Sequence, residues 1–477
     1  MAIPLPFVKL LHTPISGYFY DVGKNEIIRV DDKVYNYLQY LMQGKEPQAD
    51  YETLSVINLL KEQGYLSENR PSIIEHPYTQ YIQLFLERNI EQITLQLTQQ
   101  CNFRCKYCIY SEDKNLKQRS HSSKRMTWEL AKKAIDFFWE HSVDSPKVNI
   151  GFYGGEPLLE FELLQKVIEY TELRFKGKSV TFTTTINGSL LNDKIVEYFI
   201  NHDVKTMISL DGPKEIHDMN RVFINGSGTY DTVMSNIRSI NAKYPDYSNK
   251  LKISMVIDPI NDFDCINSVT VDCNEINFTN LNVSTVDSLD MPVKYSDEYV
   301  QKSEYQYFLA FLSHFGYLSI DKVSPILNKR VNAVLSDVKR MIKAETIPQS
   351  MAPGGPCIPG QLRLFINADG DMFPCERVNE SDVMKIGTLD TGFDYKKARA
   401  LINIGSLTSE ECRNCWAIRH CIICAKFADD GHKLSPEVKS CNCPISQNNV
   451  IHKLRAMIFL HEIPEYYKEY QKQLINK

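Results

Sequence analysis

Cys101, Cys105 and Cys108, set in the string CNFRCKYC, constrain this chain more than any other feature. They open a loop directly after an apolar alternating run, Ile93 to Leu97, that reads as a strand. Spacings of three and then two residues bring three thiolates onto one compact loop. Three protein thiolates on a cubane 4Fe–4S cluster leave one iron without a protein ligand, and that iron can bind and activate a small molecule. Structural zinc is the plain alternative, but it closes its shell with four ligands and no local fourth is evident.

The 477 residues are enough for roughly three domains. A hydrophobic content of 43% and a charged content of 24% are those of an ordinary globular protein. A net charge of −5 argues against a nucleic-acid partner, because no basic excess is available for phosphates. The basic run from Lys114 to Arg125 reads as solvated loop charge. No stretch approaches the ~20 apolar residues that span a bilayer. The start, MAIPLPFVKLLHTP, lacks the pattern of a signal peptide, so a cytoplasmic location is expected. In that reducing compartment thirteen cysteines point to metal rather than disulfides. Three fall at 101–108, two flank a glycine turn at 357–375, and six lie between 412 and 443. Cys265 and Cys273 stand apart and read as small buried apolar residues.

Residues 1–88 contain no cysteine and read as a separate module. Phe7 to Leu11, Tyr18 to Asp21 and Glu26 to Val30 look like strands; helices follow, one capped by Asp31 or Asp32, the other from Tyr51 to Gln63. From 89 to 320 strand and helix signals alternate. Ile93–Leu97, Val148–Tyr153, Val180–Thr185, Lys205–Leu210, Leu251–Ile257 and Phe278–Val283 are the strands expected of a parallel sheet, whose chemistry sits at strand C-termini. From 321 to 447 the alternation lapses and cysteines and glycines rise; 448–477 reads as a closing amphipathic helix.

Polar motifs fall at successive strand ends. Gly154-Gly155-Glu156-Pro157 follows the second strand, and its glycines permit close backbone approach to a ligand. Thr185, Asn187 and Gly188 end the third; Ser209-Leu210-Asp211-Gly212-Pro213 ends the fourth, with Arg221 beyond it. Ser254, Met255 and Val256 suit either an adenine wall or the core.

With Tyr107 at the aromatic position, the C-x3-C-x-aromatic-C loop resembles that of the radical S-adenosylmethionine (SAM) superfamily. The resemblance implies an α/β fold, a partial (β/α)6 TIM-like barrel. It also implies a SAM-binding 4Fe–4S cluster on Cys101, Cys105 and Cys108, and a deoxyadenosyl radical that abstracts hydrogen. Gly154, Gly155 and Glu156 match the motif that holds the SAM amino group, and Arg221 matches an arginine that pairs with its carboxylate. Tyr107, Thr185, Asn187, Ser209 and Asp211 complete the expected cofactor-binding set.

The second cysteine field begins with CIPGQLRLFINADGDMFPC, in which a strand, an Asp369-Gly370 turn and a return strand would bring Cys357 and Cys375 together. Cys412-x2-Cys415-x5-Cys421-x2-Cys424 follows, then Cys441 and Cys443. The pattern resembles the SPASM extension, with two residues where that family usually has three between the cysteines at 421 and 424. The resemblance implies two auxiliary 4Fe–4S clusters, three clusters in all. One would take Cys357, Cys375 and Cys424, and the other Cys412, Cys415, Cys421 and Cys441, with Cys443 as the alternative to Cys441. A zinc knuckle at 412–424 is the competing reading.

Residues 1–88 resemble the winged-helix-like element that captures leader peptides in ribosomal-peptide maturation; a plain structural cap is the alternative. Phe373-Pro374-Cys375-Glu376-Arg377-Val378 looks most like thioether-forming maturases. Sulfatase maturases place an aspartate where Glu376 stands; the catalytic residue is left open, with Glu376 as the candidate. These resemblances imply a precursor peptide with leader, a flavodoxin- or ferredoxin-type electron donor, and intramolecular sulfur–carbon crosslinks. The alternatives are a sulfatase-type formylglycine maturase, a carbon–carbon crosslinker, or a zinc-stabilised peptide-binding adaptor.

Overall fold

The computed structural model describes residues 5–110, 121–273, 275–286 and 293–475, so part of the Lys114–Arg125 run lies outside the described residues. Near the N-terminus, β1 (Val8–His12), β2 (Gly17–Asp21) and β3 (Glu26–Val30) form an antiparallel sheet in that order. Asp31 accepts the Val34 amide and caps the helix Asp32–Met42; Asp50 accepts the Thr53 amide and caps Tyr51–Glu62. Each cap satisfies a donor that the first helical turn leaves open, worth about 1 kcal/mol. These elements close over Val8, Phe19, Val34, Leu38 and Ile57, a core distinct from the main one. Phe7, Leu11, Tyr18, Tyr20 and Val22, from β1, β2 and their flanks, belong instead to the large core of the main body, which the chain rejoins beyond Leu66. There β4 (Ile73–Ile74) pairs with β11 (Ser350–Met351), and Ile82 and Leu86 are buried in the large core.

The main sheet begins with six parallel neighbours: β5 (Gln92–Thr98), β6 (Lys147–Gly154), β7 (Ser179–Ile186), β8 (Val204–Ser209), β9 (Lys252–Ile257) and β10 (Leu281–Thr285). Helices including Trp128–His141, Phe161–Arg174 and Tyr230–Lys243 connect them. Helical crossovers between parallel strands return every strand in the same direction, so all six C-termini share one edge. This is the α/β architecture of a partial barrel. One boundary differs from the sequence expectation: Phe278–Asn280 is a 3-10 turn, and the strand begins at Leu281, opposite Ile253. Phe278 is buried as the anchor of that turn.

The second cysteine field continues the same sheet. β12 (Leu364–Ile366) adds parallel to the free edge of β5, with Ile366 opposite Leu95. The chain turns at Gly370 (φ 85°), and β13 (Asp371–Phe373) returns antiparallel, as the Asp-Gly turn predicts. β14 (Gly387–Thr388) and β15 (Gly392–Phe393) complete ten strands. The closing helix runs from Pro436 to Ile475 and so begins well before Asn448. Ser435 caps it by accepting the Val438 amide, which places Cys441 and Cys443 on helical turns rather than in a loop.

Candidate active site

The glycines after β6 are required by the protein's own backbone. A Cβ on Gly154 would lie 2.2 Å from the Thr98 carbonyl oxygen, and one on Gly155 would lie 2.0 Å from that of Gln100. The Gly155 amide donates to Thr98 and the Glu156 amide to Gln100, both at 2.8 Å. The close approach that these glycines permit is made to the segment leading into Cys101. On the other side, the Arg104 amide donates to Val222 (2.8 Å) and the Lys106 amide to Asn220 (3.0 Å). The cysteine loop is held between these two walls.

Glu156 is buried and accepts the Leu158 amide (3.0 Å) and the Asn187 amide (2.7 Å), tying the end of β6 to the end of β7. Burial pushes its carboxyl up to about 7 against those two donors. The Asn187 amide group donates to Asn102 (2.8 Å) and points at Cys101 Sγ (3.9 Å). Thr185 and Ser209 lie near the ends of β7 and β8.

Asp211 is the hub of the next strand end and is fully buried. One carboxylate oxygen accepts the Tyr107 hydroxyl and, at 2.9 Å, Arg221 Nε; the other accepts the Val256 amide at 3.1 Å. Arg221 lies over the Tyr107 ring, 5.4 Å from its centroid, and extends NH1 to 3.9 Å from Cys105 Sγ. Burial pushes the His217 ring down to about 4, so it is neutral, and its Nδ1 faces the Asp211 amide at 3.4 Å. Of the strand 254–256, Met255 belongs to the core, whereas Ser254 and Val256 are half-buried.

The residues of the first loop fit a thiolate-bound cluster. The Phe103 amide is aimed at Cys101 Sγ (3.3 Å) and the Tyr110 amide at Cys108 Sγ (3.4 Å), and such donors favour the thiolate. Burial pushes the Cys101 and Cys105 thiols up to about 12 and about 11; Cys105 and Cys108 lie near enough to raise Cys101 further, and Cys108 to raise Cys105. Metal coordination is the ordinary way to deprotonate such thiols. Among the described residues no three Cys, His, Asp or Glu side chains are gathered closely enough to hold a single metal ion.

The second field forms two groups. Cys375, pushed up to about 11 by burial, faces Cys357 and Cys424. Cys415 faces Cys421 and Cys412, and Cys443 faces all three; Cys441 is exposed. The helix explains the difference. Lys439, Cys443, Ser446 and Gln447 recur at i, i+4, i+7 and i+8 and share one face, from which Cys441 is rotated away. From that face Lys439 donates to Cys412 Sγ (3.3 Å), Ser446 to Cys421 Sγ (3.4 Å) and Gln447 to Cys415 Sγ (3.6 Å). The motif reading missed these three donors, although their helical spacing was a signal that pointed to them. Glu376 gives one oxygen to Arg363 (2.6 Å), while its Oε2 is buried without a partner among the described residues. Cys265 and Cys273 are half-buried, and the Cys273 thiol reaches Glu275 at 3.3 Å.

The geometry agrees with what the chain is similar to. Residues 95–269 match the Radical SAM superfamily. The radical SAM cyclopropyl synthase TigE of Paramaledivibacter caminithermalis is 25% identical over 429 residues, 83% of each chain. A serine-type anaerobic sulfatase-maturating enzyme of Bacteroides thetaiotaomicron is 30% identical over 170 residues, 32% of this chain and 41% of that one. The solved structure titled native anSMEcpe with bound AdoMet superposes with a TM-score of 0.58 at 18% identity, covering 78% of this chain and all of that one. The chain spans less than half the length of two of the first three curated relatives that it matches. Residues 95–269 are therefore a radical SAM domain, whose chemistry calls for SAM and a 4Fe–4S cluster. No helix among the described residues is long and apolar enough to cross a membrane.

Proposed function

We propose that this protein is a cytoplasmic radical SAM maturase of the SPASM type, acting on a ribosomally made, cysteine-rich precursor peptide. Residues 1–88 hold the leader, and the reaction joins a core cysteine sulfur to a carbon of another residue. The observation that carries the peptide reading is the N-terminal module. It has its own core and an outer strand, and its β2–β3 turn is fastened to the loop between Cys415 and Cys421. An extended leader can pair its backbone with such a strand edge.

Cys101, Cys105 and Cys108 would hold the 4Fe–4S cluster that binds SAM, and the pair would supply radical chemistry there, with the electron drawn from a flavodoxin- or ferredoxin-type donor. The chain's part is to bind and orient. Glu156 and Asn187 brace the strand ends around Cys101, and the Asp211 carboxylate holds Tyr107 and Arg221 against Cys105. Arg221 and the motif Gly154-Gly155-Glu156 are assigned to the polar end of SAM. The two further thiol groups are assigned to auxiliary clusters, one on Cys357, Cys375 and Cys424, the other on Cys412, Cys415 and Cys421. Glu376, whose Oε2 is buried without a partner among the described residues, is assigned as the group that takes the substrate thiol's proton.

A second reading is favoured by the long match to TigE, whose printed name is that of a cyclopropyl synthase: carbon–carbon rather than sulfur–carbon bond formation. Mass spectrometry of precursor peptide treated anaerobically with reconstituted enzyme separates the readings. A product lighter by two hydrogens per crosslink, with core cysteines no longer open to alkylation, supports the thioether. The same mass loss with every thiol still alkylated means a carbon–carbon bond. Conversion of one cysteine or serine to an aldehyde means a formylglycine maturase.

A further inference from the structure

Lys439 is almost completely enclosed, at 1% exposure, in the first turns of the closing helix. Its Nζ has two polar partners among the described residues, the Thr408 hydroxyl at 2.5 Å and Cys412 Sγ at 3.3 Å. Among the described residues no carboxylate oxygen lies within ion-pair distance of it. A buried ammonium is strongly disfavoured unless an anion accompanies it. Thr408 is neutral, and the groups that remain are the thiols: Cys412 in contact, and Cys443 one helical turn along the same face. The Cys443 thiol also donates to the Lys439 carbonyl at 3.4 Å, so one residue meets this group of cysteines from both its backbone and its side chain.

We propose that Lys439 is a positioning cation that sets the electron affinity of the iron–sulfur cluster carried by Cys412, Cys415 and Cys421. This rests on the reading of those cysteines as cluster ligands. A cluster bound by thiolates carries net negative charge, which grows by one on reduction. A fixed buried cation beside a ligand sulfur therefore attracts the reduced form more than the oxidised form and raises the reduction potential. Its N–H···S hydrogen bond draws electron density from the same sulfur and acts in the same direction. Burial protects both effects from screening by salt, which a surface lysine would not escape. The other donors on the same helix face, Ser446 and Gln447, are neutral and bond two different sulfurs, so of these three donors only Lys439 brings charge.

The test uses anaerobically reconstituted full-length protein and redox titration followed by electron paramagnetic resonance, with iron counted in each sample. Lys439→Met should move one of the cluster midpoints to lower potential at unchanged iron content, and Lys439→Arg should restore it towards the wild-type value. A full complement of iron with no midpoint moved by Lys439→Met overturns the proposal. Should that variant fail to fold or load, Lys439→Gln keeps a donor for Thr408 without the charge. A lowered midpoint there supports the proposal and an unchanged one overturns it. The ligand reading is tested separately: if Cys412→Ala/Cys415→Ala retains all of the wild-type iron, that reading fails, whatever Lys439 does.

Discussion

Arg419 donates from Nε to the carbonyl oxygen of Val22 at 2.7 Å, across 397 positions of sequence. Its second arm reaches the Gly23 carbonyl at 3.2 Å, and the next residue, His420, meets Asn25 Oδ1 at 3.2 Å. The guanidinium thus holds the β2–β3 turn of the N-terminal module against the loop between Cys415 and Cys421. Burial pushes the His420 ring down to about 4, so this contact is made by a neutral imidazole. Lys9, on β1, lies over the Trp416 ring at 4.9 Å and adds a second point of attachment.

Removing the latch should loosen the module, which Phe7, Leu11, Tyr18, Tyr20 and Val22 still anchor in the large core. Arg419→Ala gives up charge-assisted hydrogen bonds to two carbonyls, a loss of about 2 kcal/mol. Protease should then cut sooner in the segment between Leu66 and Ile73, with the main body intact, and SAM cleavage without peptide should persist. Deletion through Leu66 takes Phe7, Leu11, Tyr18, Tyr20 and Val22 out of the large core and should lower the stability of the main body, and the folded fraction should bind leader-bearing peptide weakly. Deletion through 88 also removes Ile82 and Leu86 from the large core and should cost solubility. Unchanged peptide affinity in the shorter deletion would make the module a structural cap.

Alanine at Cys101, Cys105 and Cys108 together should abolish deoxyadenosine formation and leave the other two clusters loaded. The iron content should fall by about a third if the three-cluster assignment is right. Deoxyadenosine made at the wild-type rate by the triple variant would remove these thiols from the SAM site.

Gly155→Ala tests whether the GGEP glycines serve the cysteine loop. The added methyl would lie 2.0 Å from the Gln100 carbonyl oxygen, and a backbone atom cannot yield as a flexible side chain can. The strain, roughly 1–3 kcal/mol, should displace the segment before Cys101. The expected result is loss of the SAM cluster's absorbance and of SAM cleavage, with iron in the second field retained. A fully loaded, active variant would mean that the segment relaxes freely.

Cys443→Ala should lose cluster iron, whereas Cys441→Ala should not. Cys443 shares the helix face that meets Cys412, Cys415 and Cys421, and Cys441 points to solvent. Iron counting on both variants decides the fourth ligand, and the reverse pattern would mean that the helix unwinds around the loaded cluster.

Much of the site was legible because it is local. Spacing within CNFRCKYC, the GGEP glycines and the capping residues Asp31 and Asp50 act over a few positions, where backbone geometry alone sets which groups can meet. The six parallel strands were legible because apolar alternation reports burial residue by residue, even though their ends shifted at Phe278. The closing helix was misjudged because Cys-Asn-Cys-Pro reads as a ligand loop, and only the Ser435 cap reveals the earlier start.

From the sequence alone came the parallel sheet, the cysteine loop at the end of β5 and the clustering of the remaining thiols. Which thiols face one another, that Asp211 rather than solvent holds Arg221, that Lys439 lies against Cys412 and that Arg419 closes on Val22 were decided by tertiary structure. These contacts join residues from 10 to 397 positions apart, and most of them depend on how whole elements pack. The sequence records which side chains can bond; packing determines which are buried together and must therefore bond one another.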